Sequence, residues 1–170
     1  IVQQAKVLIE NDVDGILLET FYDYEEVQAA VQAVRTLTDK PIIAQVSMHE
    51  PGILQGGIPF DEALTQLEAL GADIVGANCR LGPFHTIQAF EKANLPARAY
   101  LSAYPNASLL DVEDGRVVYE SEAEYFARAA EELVKQGVRL IGGCCGTTPK
   151  HIAALKKRLK NIKPLEKKNV

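Results

Sequence analysis

Short apolar runs alternate along this chain with longer stretches whose apolar residues recur every three or four positions. The short runs are Gly15–Glu19, Pro41–Val46, Ala72–Gly76, Ala97–Leu101 and Val138–Gly142. Runs this short and this uniformly apolar suit strands buried on both faces, as parallel strands are. The longer stretches read as helices. Tyr24–Leu37 carries Val27, Ala30, Val31 and Val34 as one stripe. Phe60–Leu70 puts Leu64, Leu67 and Leu70 on one side, and Asp61 and Glu62 favour its positive N-terminal end. Thr86–Ala93 is a shorter helix, and Glu122–Gln136 is a longer one stopped by Gly137. Thr148–Leu159 starts with a Thr cap and Pro149, and ends on Lys156, Lys157 and Arg158, which suit a negative C-terminus. Ile1–Glu10 is an amphipathic helix.

One strand and one helix repeat at about 30 residues, the size of a βαβ step. The predicted class is therefore α/β. Five strands preceded by a helix fit the C-terminal part, about strands four to eight, of a (β/α)8 TIM barrel. A complete barrel needs about 250 residues, so about three strand–helix units are expected before Ile1, and the absence of an initiator Met agrees with that. A five-stranded flavodoxin-like sheet is the alternative. Residues 1–160 form the predicted barrel part. Residues 161–170 are basic and aperiodic, a tail or a linker to a following domain.

Composition narrows the function classes. Of the 170 residues 47% are hydrophobic and 24% charged, ordinary values for a globular chain with a core. The formal net charge of −5 gives no electrostatic reason to bind nucleic acid or an anionic membrane. No apolar run approaches the roughly 18 residues that span a bilayer, and Ile1–Glu10 does not read as a secretion signal. Three cysteines, two of them adjacent, cannot form a simple disulfide framework. Reduced thiols in the cytoplasm are the expectation.

The cysteines stand where a parallel barrel keeps its chemistry, at the C-terminal ends of strands. Cys79 follows Ala72-Asp73-Ile74-Val75-Gly76-Ala77-Asn78, and Cys144 and Cys145 follow Val138-Arg139-Leu140-Ile141-Gly142-Gly143. Flanking glycines let two successive side chains turn toward one point. Three thiolates suit zinc rather than magnesium or calcium, and three protein ligands leave a fourth tetrahedral position for substrate. Taken singly, a cysteine is more often a small buried apolar residue. A redox role lacks a Cys-x-x-Cys spacing. Convergence of all three thiols at strand ends favours the metal.

Gly76-Ala77-Asn78-Cys79-Arg80-Leu81-Gly82-Pro83 and Ile141-Gly142-Gly143-Cys144-Cys145-Gly146-Thr147-Thr148-Pro149-Lys150-His151-Ile152 closely resemble the two signature segments of homocysteine S-methyltransferases. Asp14–Phe21 resembles that family's strand-four segment. Pro105-Asn106-Ala107 resembles its loop after strand seven, with Ser108 where Gly is usual. The resemblance covers about residues 1–160 and is especially close to bacterial proteins that join the module to a methylenetetrahydrofolate reductase domain. It implies zinc held by Cys79, Cys144 and Cys145, and methyl transfer from a small-molecule donor to the homocysteine sulfur, giving methionine. It implies that Glu19 takes the substrate amino group, that Asn78 and Asn106 orient the site, and that Gly142 and Gly143 allow close substrate approach. A reductase domain beyond the basic tail is the implied partner. A zinc-stabilised domain without catalysis, or an inactive fragment, is the competing reading.

The remaining polar residues carry weaker expectations. His49 reads as a solvated loop residue, His85 stands near a helix start, and His151 is expected to face solvent from the first turn of the last helix. Arg80 either screens thiolate charge or is a surface residue. Tyr100 and Tyr104 are expected to pack or to shape the pocket, and Ser47 ends its strand near it.

Overall fold

The computed structural model describes residues 1–108, 111–113, 116–118 and 122–166. Its elements are α1 (Val2–Glu10), β1 (Ile16–Phe21), α2 (Tyr24–Arg35), β2 (Ile42–Val46), α3 (Phe60–Ala69), β3 (Ile74–Asn78), α4 (Pro83–Lys92), β4 (Tyr100–Tyr104), β5 (Asp111–Glu113), β6 (Arg116–Val118), α5 (Ala123–Lys135), β7 (Val138–Ile141) and α6 (Pro149–Leu159). Five strands pair in parallel in the order β1-β2-β3-β4-β7. The short antiparallel hairpin of β5 and β6 lies outside that sheet. Successive parallel strands are neighbours throughout, as in a barrel wall. A flavodoxin-like sheet would reverse direction at its first strand, so the order decides against that alternative.

Alternation along the strands sorts the two faces. Ala44, Val46, Val75, Ala77, Leu101 and Ala103 are buried in a core shared with Val27, Val31, Leu64 and Leu67 from the helices. The register places Leu17, Ile43, Ile74 and Tyr100 in one row on the other face. Leu17 and Tyr100 are 41% and 54% exposed, so this face is open at its edge and base. Two residues further up, Gln45, Gly76 and Ser102 form the next row. Gln45 Nε2 donates to Ser102 Oγ at 3.1 Å. A Cβ at Gly76 would lie 1.8 Å from the Ser102 carbonyl oxygen, so this position has room for glycine alone. Beside the β1 edge, a cleft of about 700 Å³ is lined in part by Val7, Leu8 and Leu17.

Two elements start where the periodicity does not place them. The run predicted at Ala97–Leu101 pairs as Tyr100–Tyr104. The buried Glu68 carboxylate from α3 takes the Ala97, Arg98 and Ala99 amides, so those three residues cannot join the sheet ladder. The helix predicted from Thr86 begins at Pro83, because Gly82 is extended and Pro83 fits the first helical position. The backbone continues past α6, and Leu165 N–H bonds the Val134 carbonyl at 3.3 Å. No helix among the described residues is long and apolar enough to cross a membrane.

Candidate metal centre

β3 and β7 are separated by β4, and the loop after β4 joins their ends. Cys79 N–H donates to the Tyr104 carbonyl at 3.0 Å, and Asn106 N–H donates to the Leu81 carbonyl at 3.0 Å. On the other side, Cys144 N–H donates to the Pro105 carbonyl at 2.9 Å and Ala107 N–H to the Cys145 carbonyl at 2.8 Å. Asn106 Oδ1 accepts from Cys145 N–H at 3.2 Å. Residues 104–107 thus act as a spacer, bonded to one cysteine segment on each side.

Local backbone conformation turns the sulfurs inward. Cys79 and Arg80 have φ of 62° and 61°, two successive left-handed residues that reverse the chain at the end of β3. Leu81 N–H closes that turn onto the Cys79 carbonyl at 2.7 Å. After β7, Thr147 folds back through N–H and Oγ1, both donating to the Cys144 carbonyl, at 3.1 and 2.6 Å. A Cβ at Gly143 would lie 2.4 Å from the Thr147 side chain, and one at Gly142 would lie 3.1 Å from the Tyr104 ring. Packing against Thr147 therefore already requires Gly143 to be small, and Gly142 sits tightly against the Tyr104 ring.

The Cys79 and Cys145 sulfurs are 3.6 Å apart, those of Cys144 and Cys145 are 4.0 Å apart, and all three lie within 4.8 Å of one another. A disulfide would need about 2.05 Å, and all three are free thiols. Tetrahedral coordination with metal–sulfur bonds of about 2.3 Å separates the sulfurs by about 3.8 Å. The donor set therefore fits a zinc ion in both softness and spacing. Cys79 and Cys144 are partly buried and Cys145 is exposed, which leaves the cluster open on one side.

Electrostatics favour the protonated forms of Cys79 and Cys144 when no cation is bound. Burial, followed by the neighbouring Cys79 and Cys145, pushes the Cys144 thiol up to about 12. Burial likewise raises Cys79, against the opposing pull of the Arg80 backbone N–H. Such thiols are poor nucleophiles on their own. A divalent cation relieves the unfavourable approach of three sulfurs by displacing their protons.

The other anticipated residues fall into distinct places. Glu19 lies on the open face of β1 in the same alternation as Leu17 and is exposed. Burial, and then the charge of Glu19, push the Tyr104 hydroxyl above its ordinary pKa. Asn78 is 2% exposed and meets Thr20 twice: Thr20 N–H donates to its Oδ1 at 2.8 Å, and its Nδ2 donates to Thr20 Oγ1 at 2.6 Å. Thr20 was not among the site residues that the sequence pointed to. Arg80 reaches His49 Nδ1 at 3.0 Å, and its guanidinium sits 5.7 Å from the Tyr22 ring centroid. His49 is exposed, as expected, and His85 lies edge-on to Phe84. Ser47 is fully buried. His151 corrects the expectation of a solvent-facing residue. It is buried, its Nδ1 accepts from Thr148 N–H at 3.1 Å, and its ring meets Phe126 edge-on at 5.5 Å. Periodicity put it in a first turn but could not show α5 packed over that turn.

Comparison with known proteins places this geometry in a family. The family model described as homocysteine S-methyltransferase matches residues 2–159. Methionine synthase of Mycobacterium tuberculosis (strain ATCC 25618 / H37Rv) is 32% identical over 171 residues, covering 97% of this chain and 14% of that protein. Betaine–homocysteine S-methyltransferase 1 of Danio rerio is 35% identical over 178 residues, covering 92% of this chain and 43% of that protein. The chain thus spans less than half the length of these curated relatives. Among solved structures, the metallated form of the homocysteine methyltransferase MmuM from Escherichia coli matches with a TM-score of 0.72 at 23% identity. The match covers 93% of this chain and 52% of that one. That likeness supports the fold, a five-stranded section of a TIM-type barrel. With the family model spanning nearly every described element and relatives above 30% identity along most of its length, the chain belongs to the homocysteine S-methyltransferase family.

Proposed function

We propose that this chain carries the zinc site, and one wall of the substrate site, of an enzyme that transfers a methyl group to the sulfur of homocysteine and so produces methionine. The observation that carries the reading is the meeting of three cysteine sulfurs within 4.8 Å at the C-terminal ends of parallel strands. Family membership supports the reaction, and so do two relatives' names: one is a methionine synthase, matching the product, and the other a betaine–homocysteine S-methyltransferase, matching the substrate.

A free thiol has a pKa of about 8.5 and is mostly protonated at neutral pH. Bound zinc supplies the charge that keeps a substrate sulfur deprotonated and nucleophilic in the physiological range. Cys79, Cys144 and Cys145 would hold the ion, and three protein ligands would leave it able to take that sulfur as well. In the transfer, the S–H proton goes to solvent, the sulfur electron pair forms the new S–CH3 bond, and the donor leaves with the electrons of its broken methyl bond. Glu19 receives the substrate ammonium by a charge-assisted hydrogen bond. Asn78 and Asn106 orient the groups around the thiols, and Gly142 and Gly143 keep the approach to them free of side chains.

The test is metal analysis of the purified protein beside its Cys144→Ser variant. It is coupled to homocysteine-dependent methionine formation with betaine, S-methylmethionine and methyltetrahydrofolate as donors. One zinc per chain in the parent, lost or strongly weakened in the variant, is expected, with methionine formed from at least one donor. Full zinc retention after replacement of all three cysteines by serine would defeat the assignment.

A further inference from the structure

The residue preceding Phe21 has a backbone that its side chain disfavours. Thr20 has φ of +62°, a left-handed conformation that is rare for a β-branched residue and costs on the order of 1–3 kcal/mol. It sits where β1 gains one residue over β2, since Leu18 pairs with Ala44 while Phe21 pairs with Val46. Strain at such a place persists when the surroundings gain from it. Here the gain is visible: the twist aims both the N–H and the hydroxyl of Thr20 at a single side chain, the carboxamide of Asn78.

That double contact settles which way the carboxamide faces. Thr20 N–H can only donate, so it must meet Oδ1, and Nδ2 must then meet the hydroxyl. One Nδ2 hydrogen goes to Thr20 Oγ1 at 2.6 Å, and Cys144 Sγ lies 4.0 Å from the same nitrogen. Asn78 is also the residue before Cys79, at the end of β3. The link therefore runs from β1, through the tip of β3, to the sulfur that follows β7.

We propose that Thr20 and Asn78 are a positioning pair, in which the strained Thr20 backbone locks the Asn78 amide so that its second N–H points at the Cys144 sulfur and holds it in the metal-binding arrangement. This rests on the reading of Cys79, Cys144 and Cys145 as zinc ligands. A neutral amide N–H is suited to the task. It stabilises negative charge on sulfur and, lacking a free lone pair on nitrogen, does not compete for the ion. Outer partners of this kind orient metal ligands, and their loss weakens metal binding by about tenfold to a hundredfold.

Two substitutions separate the pair from mere folding. Thr20→Val keeps the β-branch, the N–H and the strain, and removes only the hydroxyl that fixes Nδ2. Asn78→Asp keeps an acceptor for Thr20 N–H and for a rotated Thr20 hydroxyl, and puts a carboxylate oxygen where the N–H faced sulfur. Zinc affinity is measured by competition with a chromophoric chelator. Thiolate-to-cobalt absorption of the Co²⁺-substituted protein reports ligand geometry, and melting of the metal-free protein reports the fold. Both variants are expected to bind zinc at least tenfold more weakly and to alter the cobalt band, while Thr20→Ser keeps the parental affinity. If Thr20→Val lowers the folded fraction, Asn78→Asp decides alone. Parental zinc affinity in a folded Asn78→Asp protein overturns the positioning role and leaves the metal site standing. A parent protein that binds no zinc overturns the metal reading itself, and this inference with it.

Discussion

At the scale of single residues, Glu68 shows how one side chain sets a strand boundary. Its carboxylate accepts from the Ala97, Arg98 and Ala99 amides ahead of β4. Burial works to raise its pKa, but the three amide donors and the charge of Arg98 outweigh burial and hold it below the ordinary carboxylate range. A folded pKa below the unfolded one gives stability that is present above the unfolded value of 4.5 and is lost as pH falls through the lowered folded value. Glu68→Gln should therefore destabilise the protein by about 1–3 kcal/mol at pH 7, since one amide oxygen cannot serve three donors. The difference from the parent should shrink in acid. Urea unfolding at pH 7 and below pH 4 reads both effects, and an unchanged midpoint at pH 7 would show that the amides find other partners. Gly76 makes a steric demand in place of an electrostatic one. With a Cβ 1.8 Å from a backbone oxygen, Gly76→Ala should cost about 3 kcal/mol or more, seen as a lower melting temperature.

At the scale of elements, the closing pair α5 and α6 separates strong contacts from weak ones. The buried His151 caps α6 through Thr148 and meets the buried Phe126 ring of α5 at 85°. His151→Ala should lose about 1–2 kcal/mol, combining a lost cap and a lost ring contact. Arg158 pairs with Glu124 and Glu131 across the same two helices, but Arg158 and Glu124 side chains are 34% and 59% exposed. Arg158→Ala should therefore change stability by less than about 1 kcal/mol. Chemical denaturation of the two variants side by side tests that order, and a larger loss for Arg158 would reverse it. Much of this was legible in the sequence. Thr148, Pro149 and the basic last turn marked α6 correctly, and the stripe of Val27, Ala30, Val31 and Val34 marked the buried side of α2. The burial of His151 was not legible, because it depends on Phe126 of α5, a separate helix earlier in the chain.

At the scale of the whole molecule, the three sulfurs meet from the ends of β3 and β7 across the intervening β4 loop. An ion held there binds the folded chain alone, so it should raise the melting temperature, and a chelator should reverse the gain. At free zinc of about a thousand times Kd the stabilisation is about 4 kcal/mol. The raised Cys79 and Cys144 thiols keep their protons at neutral pH in the metal-free state. A zinc ion bound there would displace those protons, so its affinity should rise with pH above neutrality and fall in acid. Calorimetry in buffers of different ionisation enthalpy measures the protons released, and the absence of any release at pH 7 would contradict the raised thiols.

Local regularities of the chain were enough to indicate five parallel strands, the helices between them, and Cys79, Cys144 and Cys145 at the C-terminal strand ends as one candidate set. Each of these rests on spacing or on residue type within a short window, and backbone periodicity acts at that range. Tertiary structure alone decided the strand order, the late start of β4 imposed from α3, and the role of residues 104–107 as the spacer between cysteines. It alone showed the left-handed Thr20 turned toward Asn78. Those features are made by backbone amides and carbonyls, which every residue carries alike, and by contacts between distant segments. No side-chain pattern along the chain could record them.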